Sequence, residues 1–221
     1  MKNKLFLALT VTILTLSVTC NAMGDTNIVD DYFGTVYEQQ TDFTDIEKGT
    51  PTDEAVSYLA KYGIINGFGD GTFGPDQNVT RAQFVKIIVC AFGLYDSEAE
   101  CNFRDCEEAQ WFYPYVASAV SAEMVKGIDM YNFAPNNNIT REDMYLIAYR
   151  CAKFAGKTFE NLTDELPYPD KEKISEYTKE AITSLYFASA AETSETESFR
   201  PREKATRAEA SRLIFLVLKN T

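Results

Sequence analysis

Three arginines recur in one setting. Arg81, Arg141 and Arg207 each follow a threonine, and each Thr-Arg pair lies four residues beyond an F-x-P triplet: Phe73-Gly74-Pro75, Phe133-Ala134-Pro135 and Phe199-Arg200-Pro201. A strongly apolar stretch follows each pair, so the threonine reads as a helix N-cap and the arginine as the first helical residue. A cation there opposes the helix dipole, which favours negative charge at that end. Local helix stability therefore does not explain three such placements. A guanidinium offers a planar fork of donors suited to a carboxylate, and a helix N-terminus offers free N–H groups to an anion. The chemistry this predicts is recognition of an acidic group. The competing role is an ion pair between each arginine and Asp45, Asp105 or Asp170 of its own or a neighbouring unit.

Other residues bear on the same chemistry. Trp111 is the only tryptophan and is followed by Phe112, Tyr113 and Tyr115. Two roles are open to it: a platform for a sugar face, or packing between lobes. Gly67, Gly69 and Gly71 permit tight turns or close backbone approach by a ligand. Asp70-Gly71 lacks the acid spacing of a calcium loop and reads as a turn. The chain has no histidine, which removes His-based nucleophilic catalysis and the commonest metal ligand. Two carboxylates could still hydrolyse a glycoside, but nothing singles out a pair among 33 acidic residues. The expectation is no enzyme, no catalytic residue, no metal and no cofactor.

The elements that position these residues repeat. The F-x-P-x4-T-R pattern occurs at offsets of 60 and then 66 residues, and Phe43-Thr44-Asp45 matches Phe103-Arg104-Asp105 at the offset of 60. Tyr168-Pro169-Asp170 is the third copy of that triplet, displaced by one residue. Between these landmarks Ala55, Val56, Leu59 and Ala60 recur at helical spacing, as do Val116, Ala119 and Val120, and Ala181, Ile182 and Leu185. Each unit is an extended lead-in, a helix, a loop and a second helix. Thr80 with Gln83 and Thr206 with Glu209 form capping boxes, and Thr140 with Asp143 resembles one. The second helices are apolar most of the way round and so belong at the centre, with the first helices outside. Gly63 suits a left-handed helix end. The third copy has no glycine between Phe187 and Phe199, so its loop is expected to turn differently or be loose.

A net charge of −12 excludes a general nucleic-acid binder, which needs a basic stripe. Lys2, Lys4 and the largely apolar run Leu5–Val18 read as a secretory signal cleaved after Ala22, too short to span a bilayer comfortably. Cys20 offers a competing lipoprotein reading with a poor preceding motif. No later segment predicts a membrane span. Cys90, Cys101, Cys106 and Cys151 remain, an even count that permits disulfides outside the cytoplasm.

The arrangement resembles the S-layer homology family. The first copy carries Phe43, Asp45, Gly63-Ile64-Ile65-Asn66-Gly67, Asp70-Gly71-Thr72-Phe73, Pro75 and Thr80-Arg81-Ala82-Gln83. The second keeps Phe103, Asp105, Trp111, Gly127, Phe133, Pro135 and Thr140-Arg141, and the third keeps Asp170, Phe199, Pro201 and Thr206-Arg207-Ala208-Glu209. The resemblance implies an all-α fold, a pseudo-three-fold trimer of helix-loop-helix repeats around a central bundle. The implied organisation is a signal peptide (1–22), a linker (23–42) and repeats at 43–96, 97–157 and 158–221, the last two divergent. The implied partner is a secondary cell-wall polysaccharide, often pyruvylated, held non-covalently at the surface of a secreted protein by Arg81, Arg141, Arg207, Trp111 and the Gly67–Gly71 backbone, with Asp45 and Asp105 close by. Another surface protein is the alternative partner, for a scaffold that no longer binds glycan. Pro51 stands at the first copy's tryptophan position, and the third falls near Glu176 or Tyr177. At most two grooves look fully equipped.

Overall fold

The computed structural model describes residues 40–159, 166–190 and 197–220. The signal segment, Cys20, most of the 23–42 linker and much of the Glu-rich stretch from 191 lie outside the described residues. Among the described residues there are six α-helices, α1 (Pro51–Lys61), α2 (Arg81–Phe92), α3 (Tyr113–Ser121), α4 (Arg141–Phe154), α5 (Glu176–Phe187) and α6 (Arg207–Asn220), and a short 3-10 turn at Lys171–Lys173. The described residues hold no strand, only three isolated bridges, and the protein is all-α.

The helix starts follow the sequence closely. Thr50 caps α1 by accepting from the Asp53 amide at 3.2 Å, with Pro51 in the first turn where its missing N–H is harmless. The capping boxes of α2 and α6 are complete: Thr80 N donates to Gln83 Oε1 at 3.0 Å, and Thr206 N donates to Glu209 Oε2 at 2.9 Å. In α4 the shorter Asp143 accepts from the Thr140 hydroxyl, at 2.8 Å, in place of the amide. Helix α5 has no side-chain cap of its own. Its N-terminus is held instead by the buried Glu142 of α4, which accepts from Ser175 N and Ser175 Oγ at 3.0 Å.

The second helices form the core. Nine of the twelve residues of α2 are buried, which places it among neighbours on nearly every side. Helices α2, α4 and α6 touch one another. The first helices pack outside them in a crossed order: α3 on α2, α5 on α4, and α1 on α6. Each first helix thus leans on the second helix of the preceding unit, and α1 closes the circle. Three backbone bonds form the same ring at the centre. Val79 N donates to Ala205 O, Ala205 N to Ile139 O and Ile139 N to Val79 O, each at 3.0 Å.

The lead-in segments set the loops. Asp45 accepts from the Phe73 and Gly74 amides at 2.8 and 2.7 Å. Asp105 does the same for Phe133 and Ala134, and Asp170 for Phe199 and Arg200. The aromatic two residues before each aspartate stacks on the phenylalanine it serves, at 5.4, 5.8 and 5.2 Å between ring centres. The residue between Phe and Pro is left-handed in every copy: Gly74 (φ 71°), Ala134 (φ 60°) and Arg200 (φ 57°). The turn after each first helix is likewise conserved in shape, through Gly63 (φ 67°), Glu123 (φ 59°) and Ser189 (φ 54°). The third copy therefore begins its loop as the first does, despite lacking glycine. Packing overrides a local preference of about 1–2 kcal/mol.

Candidate functional site

The amides that begin α2, α4 and α6 are not free. Arg81 N donates to Asn137 O at 2.8 Å, Arg141 N to Glu203 O at 2.9 Å and Arg207 N to Gln77 O at 2.8 Å. The next amides, of Ala82, Glu142 and Ala208, donate to Pro135 O, Pro201 O and Pro75 O, all at 3.0 Å. The third amide of each helix goes to its capping threonine. The expectation of unsatisfied amides awaiting an anion is therefore wrong. The loop of the adjoining unit runs across each helix start and fills those donors, as burial of polar backbone demands.

The arginine side chains do not pair with the F-x-D aspartates either, since those carboxylates serve the loop backbone. Each Nε instead donates to the phenylalanine carbonyl of the adjoining unit's F-x-P: Arg81 to Phe133 O at 3.0 Å, Arg141 to Phe199 O at 2.7 Å and Arg207 to Phe73 O at 2.8 Å. Each guanidinium also lies over that ring, at 4.7, 5.3 and 4.3 Å respectively. Every corner is thus a composite of two units.

Beyond this shared frame the three corners differ. Arg141 is sealed: its guanidinium pairs with Glu209 at 2.5 Å, with the two side chains 6% and 10% exposed. Glu209 also holds Arg200 at 3.0 Å. Arg81 donates Nη2 to Lys126 O at 3.1 Å, and the carboxylates of Asp143 and Asp105 act on it without a direct ion pair. Asp143 Oδ1 accepts from the hydroxyl of Tyr177, an exposed side chain. Arg207 donates Nη2 to Asn66 O at 2.8 Å and sits 5.0 Å from the ring of Phe68, which is 52% exposed. Among the described residues no carboxylate lies within ion-pair range of Arg207, and its Nη1 has no hydrogen-bond partner. The residue that meets Arg141 is third in its helix, Glu209. The same position is Asp143 in α4 and the neutral Gln83 in α2. Burial pushes the pKa of both Arg81 and Arg207 below the usual guanidinium value, although such a group stays charged at neutral pH. The Arg207 cation is thus partly desolvated, and the Asp45 carboxylate acts on it without a direct ion pair.

Trp111 is 55% exposed and edge-on to the buried Phe112 at 5.5 Å, so Phe112 fills the core position and Trp111 faces outward. Tyr177, also exposed, lies in the first turn of α5. Gly67 and Gly127 answer to packing. A Cβ on Gly67 would lie 2.4 Å from Phe43 Cε1 and 2.5 Å from Thr72 O, and one on Gly127 would lie 2.5 Å from Phe103 Cε1. Gly69 (φ 79°) and Gly71 (φ 91°) are left-handed, and a Cβ on Gly69 would meet nothing within 4 Å. Asp70 is consumed by its turn, accepting from Thr72 N at 2.9 Å. The sequence assigns no binding role to Phe68, Tyr177, Glu209 or the carbonyls of Asn66 and Lys126; Glu209 enters it only as a cap and Tyr177 only as a candidate for the third tryptophan position. The changing third residue of the second helices, Gln, Asp and Glu, was the signal that could have revealed the unequal corners.

The family model described as the S-layer homology domain matches residues 42–85 and 102–144. The chain is 29% identical over 176 residues to an endoglucanase of Bacillus sp. (strain KSM-635), covering 80% of this chain and 18% of that protein. It is 33% identical over 130 residues to an S-layer protein of Bacillus anthracis, covering 55% of this chain and 15% of the other. A surface-layer 125 kDa protein of Lysinibacillus sphaericus is 33% identical over 90 residues, with 41% and 8% covered. The chain spans less than a fifth of the length of each of these relatives. Residues 42–85 and 102–144, whose loops and helix starts follow the same frame, thus belong to the S-layer homology domain family.

Proposed function

We propose that the protein anchors itself non-covalently to a bacterial cell wall by binding an acidic secondary cell-wall polysaccharide, pyruvylated in its recognised form, and that it acts as a secreted surface protein without catalysing a reaction. Residues 158–221 serve as a third, diverged repeat, because Arg207 completes the first repeat's corner. The observation that carries the reading is the Arg207 guanidinium, partly buried, in no ion pair with a described carboxylate and beside the exposed Phe68 ring. It supplies a charge-assisted donor for a sugar carboxylate next to an aromatic face. The Arg81 corner is a second groove weakened by Asp143. The Arg141 corner is closed by Glu209 and has no part in binding. The net charge of −12 does not oppose this, because charges beyond about 8 Å are screened at physiological salt.

Sedimentation with purified wall tests the proposal. A charged hydrogen bond contributes about 1.5–3 kcal/mol, so Arg207→Ala is expected to weaken retention about tenfold or more, and Arg81→Ala less. A free pyruvylated sugar should release the bound protein. Unchanged retention of a folded Arg207→Ala protein would defeat the reading. The exposed Ile128 and Met130 on the second loop favour a second reading, a scaffold that docks another surface protein. That reading predicts wall association insensitive to both arginines and reduced by Met130→Asp.

A further inference from the structure

The second unit carries two cysteines in one short lead-in segment. Cys101 and Cys106 bracket Phe103-Arg104-Asp105. Both are buried free thiols, and each lies close enough to act on the other. Cys106 Sγ also approaches Asp105 Oδ1 at 3.9 Å. The first unit has Thr41 and Ile46 at these positions, so the pair is peculiar to the second.

We propose that Cys101 and Cys106 form a disulfide in the exported protein, clamping the segment that presents Asp105. That segment has a defined task. Asp105 holds the Phe133 and Ala134 amides at 2.8 and 2.7 Å, and the Phe133 carbonyl receives Arg81 Nε at 3.0 Å. Closing the pair takes two protons and two electrons from the thiols. A small-molecule or protein disulfide accepts both electrons by thiol–disulfide exchange through a mixed disulfide, and leaves as two thiols. The cost to the segment is small, because each Asp105 oxygen keeps its backbone donor when the weak S–H contact is lost. Burial pushes both thiols up, Cys106 to about 12. The thiolate that exchange requires is therefore scarce in the folded protein. Closure belongs to the folding chain, and the finished bond is then shielded from reductants.

The inference rests on export for its oxidising setting, so the first test is independent of it. The unfolded full chain is refolded in a buffer of reduced and oxidised glutathione, alkylated in denaturant and digested with trypsin. Cleavage after Arg104 separates Cys101 from Cys106, and a further chymotryptic cut after Tyr95 separates Cys101 from Cys90, so the Cys101 and Cys106 peptides should stay joined until reduction. Two alkylated thiols, or either cysteine joined elsewhere, would overturn the assignment. Oxidised wild type should also melt above the oxidised Cys101→Ser/Cys106→Ser double variant, with the gap closing when both are reduced, and equal midpoints of the two oxidised proteins would remove the clamp role. Protein recovered from outside the cells should already carry the bond. A closed pair after refolding with open thiols in that material would uphold the pairing and refute export instead.

Discussion

A carboxylate that accepts two backbone amides does its work only while ionised. Asp45 illustrates this. Burial acts to raise its pKa, but the Phe73 and Gly74 amides outweigh it and hold the group below its ordinary value of 3.8. The sign follows from linkage: a depressed folded pKa gives stability that is full above the unfolded value and is lost as pH falls through the folded one. Asp45→Asn should therefore lower the melting midpoint near neutral pH and narrow its gap from wild type below about pH 4. Thermal melts between acid and neutral pH check this, and a gap that widens in acid would refute it. Because the side chain is solvent-exposed, the effect is one of direction and not of large energy. The same reasoning separates the arginines, since the Arg141 guanidinium closed by Glu209 is structural while Arg207, in no ion pair, keeps its charge available.

At the scale of the element, the loop between the two helices of a unit is fixed by contacts that leave no room at one position. Gly67 lies against the Phe43 ring and the Thr72 carbonyl. One of these is backbone and cannot yield. Gly67→Ala should destabilise the protein by about 1–3 kcal/mol, the usual range for overpacking, as read by urea unfolding. Gly69→Ala meets no atom and should cost only the left-handed strain, about 1–2 kcal/mol. A greater loss at Gly69 than at Gly67 would contradict the packing account. The glycines of this loop thus divide between room for a neighbour and freedom of φ, a division that the string Gly-Phe-Gly-Asp-Gly does not reveal.

At the scale of the whole molecule, the crossed packing makes the units interdependent. Helix α1 rests on α6, and the central bonds of Val79, Ile139 and Ala205 close only when all three units are present. A chain ending at residue 157 is expected to lose cooperative unfolding, since α1 would expose Ala55, Val56, Leu59 and Ala60. A sharp calorimetric transition in that truncation would show the units to be independent. By itself the sequence determined the helices, their caps, the central place of the second helices, the repeat and the family, because each depends on local spacing and residue type. Tertiary structure alone decided that the helix-start amides are filled, that Arg207 serves the first unit's loop, and that Glu209 closes the Arg141 corner while Arg207 meets no carboxylate at ion-pair range. These outcomes join residues more than fifty positions apart, and no local pattern encodes which loop reaches which helix.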